Sequence, residues 1–253
     1  MLKGLFIPVI HLLGRRIERQ RFTDPPIYIG GCGRSGTTLL LSILSSHPEI
    51  FACPRELNLF EGAWESAEKL VLPKWYRLYR TFIKEKIKKT ARRYCEKSPS
   101  NIHFVPLIER IHDGNFKMIQ IIRDGRDVIL SKHPREPEKY WVAPDRWIHD
   151  VKAGLPFLEH PNVLTIRYED LVQTFERTIG KVCNFLDIPI TEEILNWHEF
   201  ATVINNRALF SPIEQLKSTS VGKWKNTENA DFVREFTSRK ETMELLKKYN
   251  YVT

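Results

Sequence analysis

Ile27-Tyr28-Ile29-Gly30-Gly31-Cys32-Gly33-Arg34-Ser35-Gly36-Thr37-Thr38 is the stretch on which the fold of this chain turns. An apolar run is followed by a glycine-rich loop and then, over residues 37–46, by a helical pattern. Gly31 and Gly36 stand at the GxxxxG spacing of a phosphate-binding loop. Glycine lets the backbone approach an oxyanion closely, and the loop N–H groups together with the helix dipole bind it. A nucleotide kinase or GTPase carries lysine directly after the second glycine. Thr37 occupies that position here, and the cation is Arg34, inside the loop. The loop therefore suits an anion chain other than a magnesium-bound triphosphate. A plain tight β–α turn would explain the glycines, but not the whole Arg-Ser-Gly-Thr-Thr run.

The same alternation recurs along the chain. Residues 116–122 form an apolar run leading into Arg123-Asp124-Gly125-Arg126-Asp127 and a helical pattern over 128–132. Residues 162–167 lead into Tyr168 and onward to a helix over 174–186, and short strands are expected at 50–52 and 94–95. Short buried strands alternating with helices are the mark of parallel βαβ units, so the expected class is α/β. Residues 133–144, with three prolines, read as a loop, 205–229 as a long surface loop, and 231–249 as a closing helix.

At 253 residues, 42% hydrophobic and 28% charged, the chain is expected to form one domain over 1–253, with a helical, basic extension at 1–25. The net charge of +8 suits an anionic ligand or surface. Nucleic acid is not the expected partner, since no helix-turn-helix, zinc-finger or RNP pattern is present. The basic block 84–93 reads as a solvated helix face. The amino-terminal stretch reads either as a helix packed on the domain or as a basic amphipathic segment making peripheral membrane contact through residues 1–20. Four cysteines without a CxxC pair point to a reducing, cytoplasmic setting. Oligomeric state is not legible.

A second anion site is expected at Arg123, at the carboxyl end of a strand, where open α/β sheets bind ligands. Its planar fork suits phosphate. Ser131, eight positions on, would lie on the same side if the helix starts near Asp124. The competing arrangement pairs Arg123 with Asp124 or Asp127 in a surface network.

GGCGRSGTTLL followed by IIRDGRDVILS resembles the sulfotransferases that use 3′-phosphoadenosine 5′-phosphosulfate (PAPS), and the likeness runs from about Pro26 to Asn226. The pattern is nearer the tyrosylprotein and carbohydrate branches than the small-phenol branch, which carries lysine at Arg34. The resemblance implies a P-loop-like three-layer fold with a central, mostly parallel sheet flanked by helices. It also implies a PAPS-dependent transferase producing adenosine 3′,5′-bisphosphate. Gly33, Arg34, Ser35, Gly36, Thr37 and Thr38 would hold the 5′-phosphosulfate; Gly33 stands where many relatives have proline or lysine. Arg123 and Ser131 would hold the 3′-phosphate. Val221-Gly222-Lys223-Trp224-Lys225 is similar to the C-terminal loop that covers the nucleotide, so Ser218, Lys223, Trp224 and Lys225 join the binding residues. Trp224 would touch adenine or anchor that loop in the core. Tyr168 matches a further family position.

Glu56, in Arg55-Glu56-Leu57-Asn58, is similar to the segment carrying the catalytic glutamate and becomes the candidate base; its bland alternative is a surface pair with Arg55. Lys97, in Glu96-Lys97-Ser98-Pro99, would join Arg34 in stabilising charge on the bridging oxygen. No metal is implied. The acceptor is expected to be a hydroxyl of a carbohydrate, glycolipid or other large alcohol, anionic or membrane-borne. Residues 60–92 are expected to form helices over the acceptor side, their aromatics at 75, 76 and 79 serving the core. A P-loop kinase and a non-catalytic nucleotide-binding module are the alternatives. Cys53 and Cys95 fall where the tyrosylprotein branch has a disulfide and are expected here as free thiols.

Overall fold

The computed structural model describes residues 6–65, 70–133, 136, 138–203 and 220–252. Five parallel strands form its central sheet: β1 (Ile27–Gly30), β2 (Ile50–Ala52), β5 (Arg93–Lys97), β6 (Lys117–Ile122) and β7 (Val163–Arg167), in the order β2-β5-β1-β6-β7. Between β2 and β5 in the chain lies a separate antiparallel hairpin, β3 (Trp64–Glu65) and β4 (Leu70–Val71). Apolar runs such as KMIQII are covered on both faces, as parallel strands require.

One face carries α2 (Thr37–Ser46), reached from β1, with α7 (Tyr168–Gln173), α8 (Phe175–Leu186), α9 (Glu192–Leu195) and α10 (Trp197–Phe200). The other carries α1 (Ile7–Arg21), α3 (Trp75–Lys84) and α4 (Val105–Ile111) over an aromatic core that includes Tyr28, Phe60, Phe82 and Tyr94. Beyond β6, α5 (Gly125–Ile129) and α6 (Pro144–Gly154) pack with α11 (Ala230–Ser238) and α12 (Lys240–Lys248). The result is the three-layer, P-loop-like architecture expected.

Several boundaries differ from expectation, each for a local reason. The helix after β6 starts earlier than 128–132 because Asp124 caps it at once, its carboxylate accepting from Arg126 N at 3.0 Å, and it ends at Ile129. The closing segment is two helices, since Arg239 takes an extended conformation between them. Among its described residues, the segment 60–92 holds one helix, α3, besides the hairpin, with Tyr79 buried and stacked on Trp75.

The basic block is not a helix face. α3 ends at Lys84, and Lys88 turns back to donate to the carbonyls of Ser45, Ser46 and His47 at 3.1–3.3 Å, closing the carboxyl end of α2. Arg93 is buried, bonded to Leu186 O and paired with Asp24 at 2.9 Å.

Candidate active site

Read across the sheet, the carboxyl ends of the strands deliver the candidate residues in one spatial row. The segment after β2 carries Glu56, β5 ends on Lys97, β1 opens into Gly31–Thr38, β6 leads to Arg123, and β7 leads to Tyr168. Open α/β sheets bind ligands at this edge.

The glycine loop is closed by geometry that only glycine tolerates at two points. Gly31 has φ +134°, and a Cβ there would lie 2.3 Å from Ile121 O. Gly36, at φ +96°, caps α2, and a Cβ would lie 2.5 Å from Tyr168 Cδ2. Arg34 itself sits in the left-handed region at φ 68°. Gly33 has no such demand, its nearest neighbour being Arg146 Nη2 at 3.5 Å.

Arg34 and Arg123 come together. Arg123 Nη1 donates to the backbone carbonyl of Arg34 at 3.1 Å, and its guanidinium lies 4.6 Å from the centre of the Tyr168 ring. Arg34 rests over Trp141 at 5.6 Å. Burial, and next to it the charge of Arg123, lower the pKa of Arg34. Two like charges held this close on a protein edge are the setting an oxyanion would relieve. Among the described residues, Arg34 Nε, Ser35 Oγ and Arg123 Nε are buried without hydrogen-bond partners. Buried donors are ordinarily satisfied, so three orphans around one loop fit a polyanionic ligand.

The pairing considered for Arg123 forms in part, with Asp127 and not with Asp124, and it is buried rather than on the surface. Arg126 takes Asp124 with two guanidinium nitrogens, Arg123 stands 4.0 Å from Asp127, and all four side chains are buried. Asp127 also holds the C-terminal segment, accepting from Gly222 N at 2.8 Å and Trp224 N at 3.1 Å. Burial raises the Asp127 pKa, against the pull of those two backbone donors and of Arg123. Trp224 is half-buried, with the Arg126 guanidinium 3.6 Å above its ring. Lys223 and Lys225 flank it in a short turn and are exposed, while Ser220 offers its carbonyl to Arg123. Ser218 lies outside the described residues. Ser131 sits just past α5 rather than on it, its hydroxyl donating to Asp127 O at 3.2 Å.

On the other side of the loop, Lys97 is fully buried and touches both Glu56 and Thr38, donating to Thr38 Oγ1 at 3.0 Å and forming an ion pair with Glu56. Glu56 thus faces the loop instead of pairing with Arg55, and its side chain remains 34% exposed, open to a second substrate. Glu96 fixes this corner: its carboxylate accepts from Ser98 Oγ, Asn101 Nδ2 and Leu57 N at 2.6, 2.7 and 3.2 Å. Burial raises its pKa. Asp127, Trp141 and Glu96 are contributors that sequence reasoning had not placed in the site. Asp127 lay in the quoted motif, whereas nothing local marked Trp141.

The chain matches the family model described as a sulfotransferase domain over residues 24–242. It is 30% identical over 195 residues to a Caenorhabditis briggsae protein named among the protein-tyrosine sulfotransferases, covering 68% of this chain and 69% of that one. It spans about half of the protein-tyrosine sulfotransferases of Caenorhabditis elegans (53%) and Drosophila melanogaster (51%). Among solved structures, the sulfotransferase domain of the Synechococcus PCC 7002 olefin synthase superimposes with a TM-score of 0.65 at 20% identity, over 92% of this chain and 97% of that one. A mouse sulfotransferase complexed with PAP gives 0.57 at 18% identity, over 95% and 93%. At those identities the structural likeness speaks for the fold.

Proposed function

Because this chain belongs to the sulfotransferase domain family and is an enzyme of that class, we propose that it moves the sulfuryl group of PAPS to a hydroxyl of a large acceptor. The observation that carries the proposal is the meeting of Arg34 and Arg123 at one sheet edge, with Lys97 and Glu56 beside them. One nucleotide bearing a 5′-phosphosulfate and a 3′-phosphate accounts for both arginines and for the orphaned donors. The mouse relative crystallised with PAP supports the same donor.

The donor supplies a sulfur–oxygen bond to a good leaving phosphate. Ser35, Gly36, Thr37 and Thr38 would hold that phosphate through backbone and hydroxyl donors at the start of α2. Gly33 would contribute its backbone to the same loop. Arg123 would bind the 3′-phosphate, with Ser131, Tyr168, Ser218, Lys223, Trp224 and Lys225 in the supporting roles expected of them. Glu56 would take the acceptor's hydroxyl proton as its oxygen bonds to sulfur. Lys97 and Arg34 would stabilise charge on the oxygen released to the bisphosphate. With three fixed cations at the edge, we propose that no metal is needed. The acceptor is a carbohydrate, a glycolipid or, as the relatives' names suggest, a tyrosine hydroxyl on a protein. A kinase is disfavoured, as Thr37 stands where its lysine belongs. We propose a reducing, cytoplasmic setting, in which Cys53 and Cys95, on adjoining backbone, stay free thiols.

Two measurements test this. Adenosine 3′,5′-bisphosphate should raise the melting temperature well above any shift from ATP or ADP; equal shifts would remove the PAPS assignment. With labelled PAPS and a panel of carbohydrate, lipid and tyrosyl-peptide acceptors, Glu56→Gln should keep nucleotide binding and lose turnover by ~10² or more. Unchanged turnover removes Glu56 from the chemistry, and activity abolished by EDTA and restored by magnesium overturns the metal-free mechanism.

A further inference from the structure

We propose that α1 lays its outer face on an anionic lipid surface. The inner face of this helix is committed to the fold. Ile10 and Ile17 pack into the aromatic core, and Gly14 admits Tyr79 so closely that a Cβ would stand 2.1 Å from Tyr79 Cβ. Glu18, the one acidic residue of the helix, is turned to that side, where Tyr79 donates to it at 3.1 Å. Among the described residues, the outer face is left with no acid of the helix and no cover.

That outer face is apolar in its first turns and cationic in its later ones. Phe6 is 58% exposed, Val9 50%, Leu12 72% and Leu13 45%. Arg15, Arg16 and Arg19 follow, also exposed. Positions 9, 12, 13, 16 and 19 recur at three- and four-residue steps and so share a side of the helix. Large apolar side chains in water are costly, and here several stand contiguous on one helix beside fixed positive charge. A bilayer interface with anionic headgroups satisfies both halves: the apolar side chains enter the acyl boundary while the guanidinium groups meet lipid phosphates and carboxylates. Among the described residues no helix is long and apolar enough to cross a membrane, so the contact would be a helix lying in the surface plane.

The test uses the full chain in vesicle co-sedimentation, with phosphatidylcholine alone and with phosphatidylcholine plus phosphatidylserine. Binding should require phosphatidylserine, weaken as salt is raised, and fall about tenfold or more in Leu12→Glu and in Arg15→Ala/Arg16→Ala/Arg19→Ala. Adenosine bisphosphate binding should be unchanged in these variants, showing that the domain is folded. No sedimentation with phosphatidylserine vesicles overturns the proposal, as does sedimentation that Leu12→Glu leaves intact. A concentration-dependent dimer that Leu12→Glu disperses, without vesicle binding, assigns the face to a second copy of this chain instead.

Discussion

Replacing Arg123 with methionine removes one guanidinium from the nucleotide edge while keeping an unbranched side chain of similar reach. In the structure that guanidinium gives Nη1 to Arg34 O at 3.1 Å, Nη2 to Ser220 O, and leaves Nε buried without a partner. If it reads the 3′-phosphate, the lost interaction is a hydrogen bond to a charged group, worth about 1.5–3 kcal/mol. That corresponds to roughly 10- to 150-fold in affinity. The change should fall on one ligand only. In isothermal titration, Arg123→Met should lose that factor for adenosine 3′,5′-bisphosphate and change adenosine 5′-monophosphate, which lacks the 3′-phosphate, by less than about threefold. A melting scan of the ligand-free variant reports separately on the loss of its two carbonyl partners. Equal weakening of both nucleotides would refute the reasoning, since Arg123 would then shape the glycine loop rather than contact the 3′-phosphate.

Two further predictions concern stability. Gly36→Ala places a Cβ at φ +96° against Tyr168, so beyond a left-handed penalty of about 1–2 kcal/mol it should displace the ring on which Arg123 rests. It should lower the melting temperature by several degrees and impair bisphosphate binding, whereas Gly33→Ala, with 3.5 Å of room, should do neither; similar behaviour of the two would contradict the loop geometry. His112, desolvated where it meets Tyr28 OH at 2.8 Å, has its pKa lowered from 6.5 to about 4. The unfolded chain therefore takes up the proton first, and stability present above pH 6.5 should be lost as pH falls toward 4, by about 3 kcal/mol at ~1.4 kcal/mol per unit. Denaturant titrations at several pH values should show that slope, and His112→Gln should flatten it; an unchanged slope in the variant would remove His112 as its source.

What the sequence disclosed was local. The expected helix over 37–46 and the strands around 27, 50, 94, 117 and 163 follow from apolar runs a few residues long, and the two arginine-bearing turns announce themselves by spacing. Contacts closed by the fold were not visible in that way. Trp141 reaches Arg34 from a proline-containing loop far along the chain, with no periodicity to mark it. Asp127 pairs with Arg123, as its place in the same motif allowed, but its carboxylate also accepts from backbone N–H groups of the segment at 222–224, which nothing local announced. Ser131 falls just beyond a helix that starts at the Asp124 cap and runs only to Ile129. Lys88 sat in what looked like a charged helix face, because three carbonyls at the end of another helix leave no trace in the sequence around it.

Lys88 also ties together two regions that look unrelated. α2 is 10 residues long, or about 15 Å from end to end, and one end faces the proposed phosphate while the other rests on the Lys88 ammonium. Both ends of its dipole would then meet opposite charge, one from the ligand and one from the chain itself. A substitution at Lys88, which touches neither substrate, would accordingly reach the nucleotide edge through this helix. Erosion of that distant lysine would loosen the floor beneath the nucleotide, and a search for inactivating changes confined to the pocket would overlook it.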